Sequence, residues 1–195
     1  MVGIYLPPDT NTLINCTHRV LESQNMINAI VASKHPRMQW FSKELSIKLC
    51  EEGIMIVPFA SDDNPDVILC ASGYTPTLEV FAAYQLIKEH TDLRVRVVNV
   101  VDLMKLSPKY KFGLSESKFE EIFTRDTPVI FAFHGYPNLI HELVYKRCND
   151  FHVHGYLEEG SITTPFDMRV LNKIDRYHLV LDALRYVPND EKEIS

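Results

Sequence analysis

The sequence predicts an α/β fold: a mostly parallel, open sheet with helices on both faces. Three observations carry this. Segments of strand and helix character alternate through residues 54–156, the order that builds parallel sheets from strand–helix–strand units. Residues 66–72 (DVILCAS) are a nearly continuous apolar run of strand length, as expected of a strand covered on both faces. Cap residues mark helix ends, as Asp9 or Thr10 does at the start of one and Gly53 at the end of another.

The elements follow in order. Residues 2–6 (VGIYL) are a short apolar strand. Pro7, Pro8, Asp9 and Thr10 then open a helix that runs to about Ser23, with Pro near its start and Asp or Thr as the cap. Residues 27–33 (INAIVAS) are a second apolar strand. Pro36 disfavours helix at His35, so residues 33–36 turn. A helix at 42–52 ends on Gly53, and residues 54–59 are a strand. An acidic loop at 61–65 precedes the strand at 66–72, and a turn at 73–76 leads into a helix at 77–90. Leu78, Phe81, Ala82, Gln85 and Leu86 fall at helical spacing there and mark a buried face. Residues 93–101 and 128–133 are strands, with a helix at 115–124 between them. A turn at 134–137 opens a helix at 138–148, and residues 151–156 (FHVHGY) are a more polar edge strand. Helices at 163–174 and 176–186 close the fold, the second capped by Asp175, before a polar tail at 189–195.

The 195 residues suit one domain, or one and part of another. Twenty Lys and Arg against 26 Asp and Glu give a net charge of −6, which argues against nucleic-acid or anionic-membrane partners. No apolar run is long enough to cross a membrane as a helix. Cys16, Cys50, Cys70 and Cys148 contain no CxxC pair, so zinc and redox spacings are absent. Cys50 and Cys70 sit in apolar company and read as core residues, and reduced thiols fit a cytoplasmic protein. Met1, Val2 and Gly3 lead straight into a strand, so no signal peptide is expected. A strand begun so abruptly reads as part of a longer chain. Residues 1–50 hold five Lys/Arg and three Asp/Glu, whereas residues 51–100 hold three and eight. An anion site built on Lys or Arg would thus fall in the first quarter rather than the second, although a random surface distribution is the favoured reading.

In open α/β sheets, ligands lie beyond the carboxyl ends of the strands. Those ends fall at residues 72–75, 101–104, 134–136 and 156–164. No GxGxxG, GxxxxGK[ST] or GxSxG occurs, which leaves dinucleotide, P-loop and hydrolase sites without support. Gly73 is either a tight turn or the mouth of an anion site facing the amides of Thr77 and Leu78. His134 stands at a strand end, a place equally suited to a functional and a turn-fixing residue. His152 and His154 share one strand face, but no third ligand stands at a convincing spacing. No metal is expected there. Ser161, Thr163 and Thr164 offer hydroxyls for a phosphate, though helix capping is the simpler use. Cys148 with His152 or His154 carries no catalytic spacing. Lys34 follows an apolar strand in a turn at the sheet's carboxyl edge. A compact cation there suits a phosphate, although position alone favours a solvated side chain.

Residues 5–9 (YLPPD), 27–34 (INAIVASK), 94–104 (RVRVVNVVDLM), 128–137 (PVIFAFHGYP), 154–168 (HGYLEEGSITTPFDM) and 175–179 (DRYHL) together resemble the phosphoketolases, in order and across nearly the whole chain. The resemblance is to the last quarter of those enzymes, whose fold there is like the carboxyl-terminal domain of transketolase. It implies cleavage of xylulose 5-phosphate or fructose 6-phosphate by inorganic phosphate, yielding acetyl phosphate and an aldose phosphate. It also implies thiamine diphosphate and Mg²⁺ as cofactors, bound by earlier domains of a homodimeric enzyme. Neither is expected to bind this chain, and no catalytic residue is expected in it. Residues 1–38 then correspond to the end of the pyrimidine-binding domain or its linker, and residues 39–188 to the carboxyl-terminal domain. Lys34 matches the family lysine that contacts the sugar phosphate, while His35 stands where the family has Gln. The competing reading is a free-standing anion- or nucleotide-binding regulatory module on the same fold.

Overall fold

Two sheets lie side by side in the computed structural model, which describes residues 1–147, 150–157 and 162–187. The first holds β1 (Val2–Tyr5) and β2 (Ile27–Ile30), parallel, with Val2 opposite Ile27 and Tyr5 opposite Ile30. Helix α1 (Thr10–Glu22) connects them. After α2 (Lys43–Glu52) come β3 (Ile54–Ser61), β4 (Val67–Ser72) and α3 (Tyr74–His90). Next are β5 (Val95–Val100), α4 (Glu116–Phe123), β6 (Val129–Phe133), α5 (Pro137–Val144) and β7 (Phe151–His154). Helices α6 (Pro165–Leu171) and α7 (Arg176–Tyr186) follow. The second sheet has the order β3-β5-β4-β6-β7. Its pairs are parallel except β3 with β5, so the sheet is mostly parallel with one antiparallel edge.

The period-2 alternation of strands divides the core in two. Val67, Leu69, Ala71, Val95, Val97, Ile130 and Ala132 face α2, α3 and α7. Ile68, Cys70, Val98, Val100, Val129, Phe131 and Phe133 face α4, α5 and a 3₁₀ turn at Leu103–Leu106. Strand β4 is buried at every position because it has parallel neighbours on both edges and helices on both faces. Its unbroken apolar sequence reflects this.

Helix ends follow local chemistry. Asp9, Ser42, Ser115, Thr164 and Asp175 each cap the following helix with a side-chain oxygen. Gly53 ends α2 at φ 77°, where a Cβ would stand 2.9 Å from the Asp102 Cβ.

Several expectations are corrected. Helix α3 begins at Tyr74 rather than Thr77, since Gly73 redirects the chain and Pro76 falls in the first turn, where its missing N–H is not needed. Its buried face is formed by Pro76, Thr77, Glu79, Val80, Phe81, Ala83 and Ile87, so Phe81 is buried as expected, while Gln85 is exposed. Glu79 lies on this face because Arg169 and Arg176 pair with it there. Strand β2 stops at Ile30, and Ile27 is largely exposed. Strand β3 extends to Ser61 across a register shift, because Asp62 accepts the Val95 amide and holds the two strands together there. Helix α6 ends at Leu171, where Lys173 takes a positive φ. Helix α5 ends at Val144; Cys148 and the tail at 189–195 lie outside the described residues.

The two sheets meet at one point. The Leu6 amide donates to the Val101 carbonyl at 2.8 Å, and Tyr5 bridges Asp102. Behind this junction α1 packs on α2 through the buried thiols of Cys16 and Cys50, 3.1 Å apart.

Candidate functional site: a cationic cleft at the strand ends

The junction sets the carboxyl ends of both sheets around one cleft of about 230 Å³. Leu6 comes from the end of β1 and residues 31–35 from the end of β2. Gly73, Tyr74 and Thr75 follow β4, and His134 follows β6. Gly73 has φ 95°, and a Cβ there would lie 2.8 Å from the His134 Cβ, so only glycine lets these two strand ends approach. The His134 amide donates to the Ser72 carbonyl at 3.2 Å, which fixes the ring beside the turn.

Residues 33–41 carry the cations, and side-chain oxygens give them their shape. Ser33 Oγ accepts the His35 amide at 3.2 Å and Arg37 Nε at 2.6 Å. The buried Asp9 carboxylate accepts Thr12 N at 2.8 Å, Gln39 Nε2 at 2.6 Å, Trp40 N at 3.0 Å and Phe41 N at 2.8 Å. Trp40 and Phe81 pack with ring centroids 5.0 Å apart and hold the far end. The Arg37 guanidinium consequently lies 4.3 Å over the Tyr74 ring. Lys34 lines the cleft and is exposed. Among the described residues no carboxylate pairs with Lys34 or Arg37.

The cleft continues into a second lobe. It shares Arg37, Tyr74, Thr75 and His134 with the first lobe and adds Tyr156 and Arg169. His134 meets Tyr156 edge-on, with ring centroids 5.2 Å apart. His134 keeps an exposed edge, and partial desolvation of its ring in the cleft, reinforced by the Arg37 charge, pushes the imidazole below its usual pKa. Arg169 pairs with the fully buried Glu79, whose other oxygen accepts Arg176 Nε at 2.9 Å.

Lys34, Gly73 and His134 are thus brought together. The Thr77 amide is not available to a ligand, since it donates to the Gly73 carbonyl at 3.1 Å. His152 and His154 do share a face, but both turn to α7: His152 stacks on Tyr186 at 3.4 Å, and His154 Nε2 lies 2.5 Å from Asp182 Oδ2. Among the described residues no group of three or more His, Cys, Asp or Glu is arranged for a metal. Thr164 caps α6 by accepting the Asp167 amide, and Ser161 lies outside the described residues. Sequence reasoning placed Tyr156 at a ligand-facing strand end but missed Arg37 and Arg169. Arg37 had a signal, a second cation three residues after Lys34. Arg169 had none, because its partner Glu79 stands 90 residues away in the sequence. No described helix is long and apolar enough to cross a membrane.

Comparison with known proteins decides the family. The XFP C-terminal domain family matches residues 34–195. The chain belongs to that family. A probable phosphoketolase of Rhodopseudomonas palustris (strain BisB5) is 51% identical over 201 residues, covering 100% of this chain and 26% of its own length. A probable phosphoketolase of Mesorhizobium japonicum is 52% identical, covering 96% of this chain and 24% of its own length. The chain therefore spans about a quarter of these relatives. Among solved structures, a split-gene transketolase superposes with a TM-score of 0.69 at 13% identity, covering 95% of this chain and 58% of that one. Transketolase from Leishmania mexicana gives 0.67 at 14%, covering 99% and 27%. At that identity the likeness is one of fold, and it agrees with the transketolase-like architecture of the family.

Proposed function

We propose that the chain is the carboxyl-terminal part of a phosphoketolase, a lyase that cleaves xylulose 5-phosphate or fructose 6-phosphate with inorganic phosphate to acetyl phosphate and an aldose phosphate. The single observation that carries this is the family match over residues 34–195, together with about half identity to probable phosphoketolases. In this reading residues 1–38 end the preceding domain, and residues 39–188 form the terminal one. The whole protein is a cytoplasmic homodimer.

Thiamine diphosphate with Mg²⁺ is the cofactor of the proposed reaction, and it supplies the carbanion equivalent. The residues of this cleft do not fit it. Among the described residues the one cleft-side carboxylate, Asp9, spends both oxygens on Thr12, Gln39, Trp40 and Phe41, leaving none for a metal. The cofactor is accordingly assigned to other domains. What this chain contributes is charge and shape: Lys34, unpaired by any described carboxylate, holds the phosphate of the sugar and so fixes the distance of its reacting end.

The test is acetyl phosphate formation, trapped as the hydroxamate, by the whole protein and by the 195-residue chain. The whole protein is expected to form it from a ketose phosphate and inorganic phosphate. The chain alone is expected to be inactive and to show no micromolar calorimetric binding of thiamine diphosphate with Mg²⁺. Absence of acetyl phosphate from the whole protein with both ketoses defeats the reading.

A further inference from the structure

We propose that the second lobe of the cleft, between Arg37, His134, Tyr156 and Arg169, is a phosphate-binding site in its own right, separate from Lys34. The lobe is contributed by five parts of the chain that only the tertiary fold unites. Its charge balance is specific. Glu79 is fully buried and shared by Arg169 and Arg176, and Asp175 adds a negative charge beside Arg176. Arg169 presents one guanidinium to the lobe, and Arg37 presents a second that has no carboxylate partner among the described residues. Among the described residues no acidic side chain lines the lobe. A phosphate dianion pairs with both guanidiniums; a single carboxylate would leave one uncompensated.

The guanidiniums are held in place before any ligand arrives. Arg37 is fixed by Ser33 Oγ at 2.6 Å and by the Tyr74 ring at 4.3 Å. Arg169 Nε donates to the Pro165 carbonyl at 3.0 Å, and its Nη1 is anchored on Glu79. Neutral hydroxyls complete the wall, from Tyr156 and Thr75. Thr75 itself lies in the first turn of α3, a helix whose amino end has no side-chain cap and places its positive pole on the lobe. Preorganised donors of this kind bind an anion without first paying to order themselves.

The ligand is a phosphate group, free or carried on a small sugar. The test uses the 195-residue chain with Lys34→Ala already introduced, so that the phosphate role proposed for Lys34 neither supports nor defeats the outcome. Inorganic phosphate and fructose 6-phosphate are titrated separately, with binding followed by calorimetry and by the His134 ring resonances. Saturable binding of inorganic phosphate that moves the His134 signals is expected. Arg37→Gln is expected to weaken it by about tenfold, and Tyr156→Phe by about threefold. Arg169→Gln disturbs the Glu79 cluster, so the exposed Arg37 and the isosteric Tyr156→Phe change carry the test. Equal affinity for the two ligands identifies free phosphate as the source; tighter binding of fructose 6-phosphate identifies a phosphorylated sugar. The proposal is overturned if no saturation is seen up to about 50 mM phosphate. It is equally overturned if binding leaves the His134 resonances unmoved or survives Arg37→Gln unchanged.

Discussion

The Asp9 carboxylate accepts the amide of Phe41 at 2.8 Å across 32 residues. This bond ties the start of α1 to the end of the segment that bears Lys34 and Arg37. Trp40 N and Gln39 Nε2 converge on the same oxygen. Asp9 is therefore both a helix cap and the fastener of the cationic loop. Asp9→Ala strands buried amides and is expected to cost about 3 kcal/mol of stability. Urea unfolding measures this. Asp9→Asn preserves shape but places an amide near three donors, and is expected to recover less than half of the loss.

Lys34→Ala in the whole protein is expected to lower kcat/KM for the ketose phosphate by about 10- to 150-fold, the equivalent of one charge-assisted contact of roughly 1.5–3 kcal/mol. Lys34→Arg is expected to restore part of it, since the planar fork has a different reach. Thiamine diphosphate affinity should not change. A kcat/KM within about twofold of the parent would make Lys34 a solvated turn residue.

Glu79 is fully buried between Arg169 and Arg176, which also donates its backbone amide to Glu79 Oε2 at 3.0 Å. Removing the buried partner of two guanidiniums leaves their charge uncompensated. Glu79→Gln is expected to destabilise the protein by about 3 kcal/mol. It should also release α6 and α7 from α3, raising amide exchange at residues 165–186. Hydrogen exchange with mass analysis checks this; protection unchanged in that segment would contradict it.

His134 faces Arg37, Tyr74, Tyr156 and Arg169. Burial lowers its pKa first and the Arg37 charge adds to it. Below pH about 6.5 the unfolded chain takes up a proton on this residue that the folded chain refuses. Stability is thus lost as pH falls from that value toward the lowered folded pKa, and the loss is complete below it. Titration of the ring proton by NMR is expected to give a pKa below the free value. Arg37→Gln should raise it part of the way, because burial remains. A native pKa at or above the free value would show that the ring is solvated.

Much of the fold was legible because its determinants are local or periodic. The β4 run, the caps Asp9 and Asp175, and Gly53 acted where the sequence placed them. Lys34 was legible as a cation after a strand, and the family resemblance rested on ordered segments spanning the chain. These signals work within a few residues, over which backbone geometry fixes neighbours.

Tertiary structure decided the rest. Strand order is set by pairings between distant segments, so the antiparallel edge of β3 could not be read from its own residues. The inward turn of Glu79 depends on Arg169 and Arg176, 90 and 97 residues away. The cleft itself arises only because the Leu6 amide reaches the Val101 carbonyl and lays one sheet's carboxyl edge against the other's. Sequence specifies each side chain and its local conformation. Whether a charge ends in water, in an ion pair or on the wall of a cleft depends on desolvation and on partners that long-range packing brings within a few ångströms.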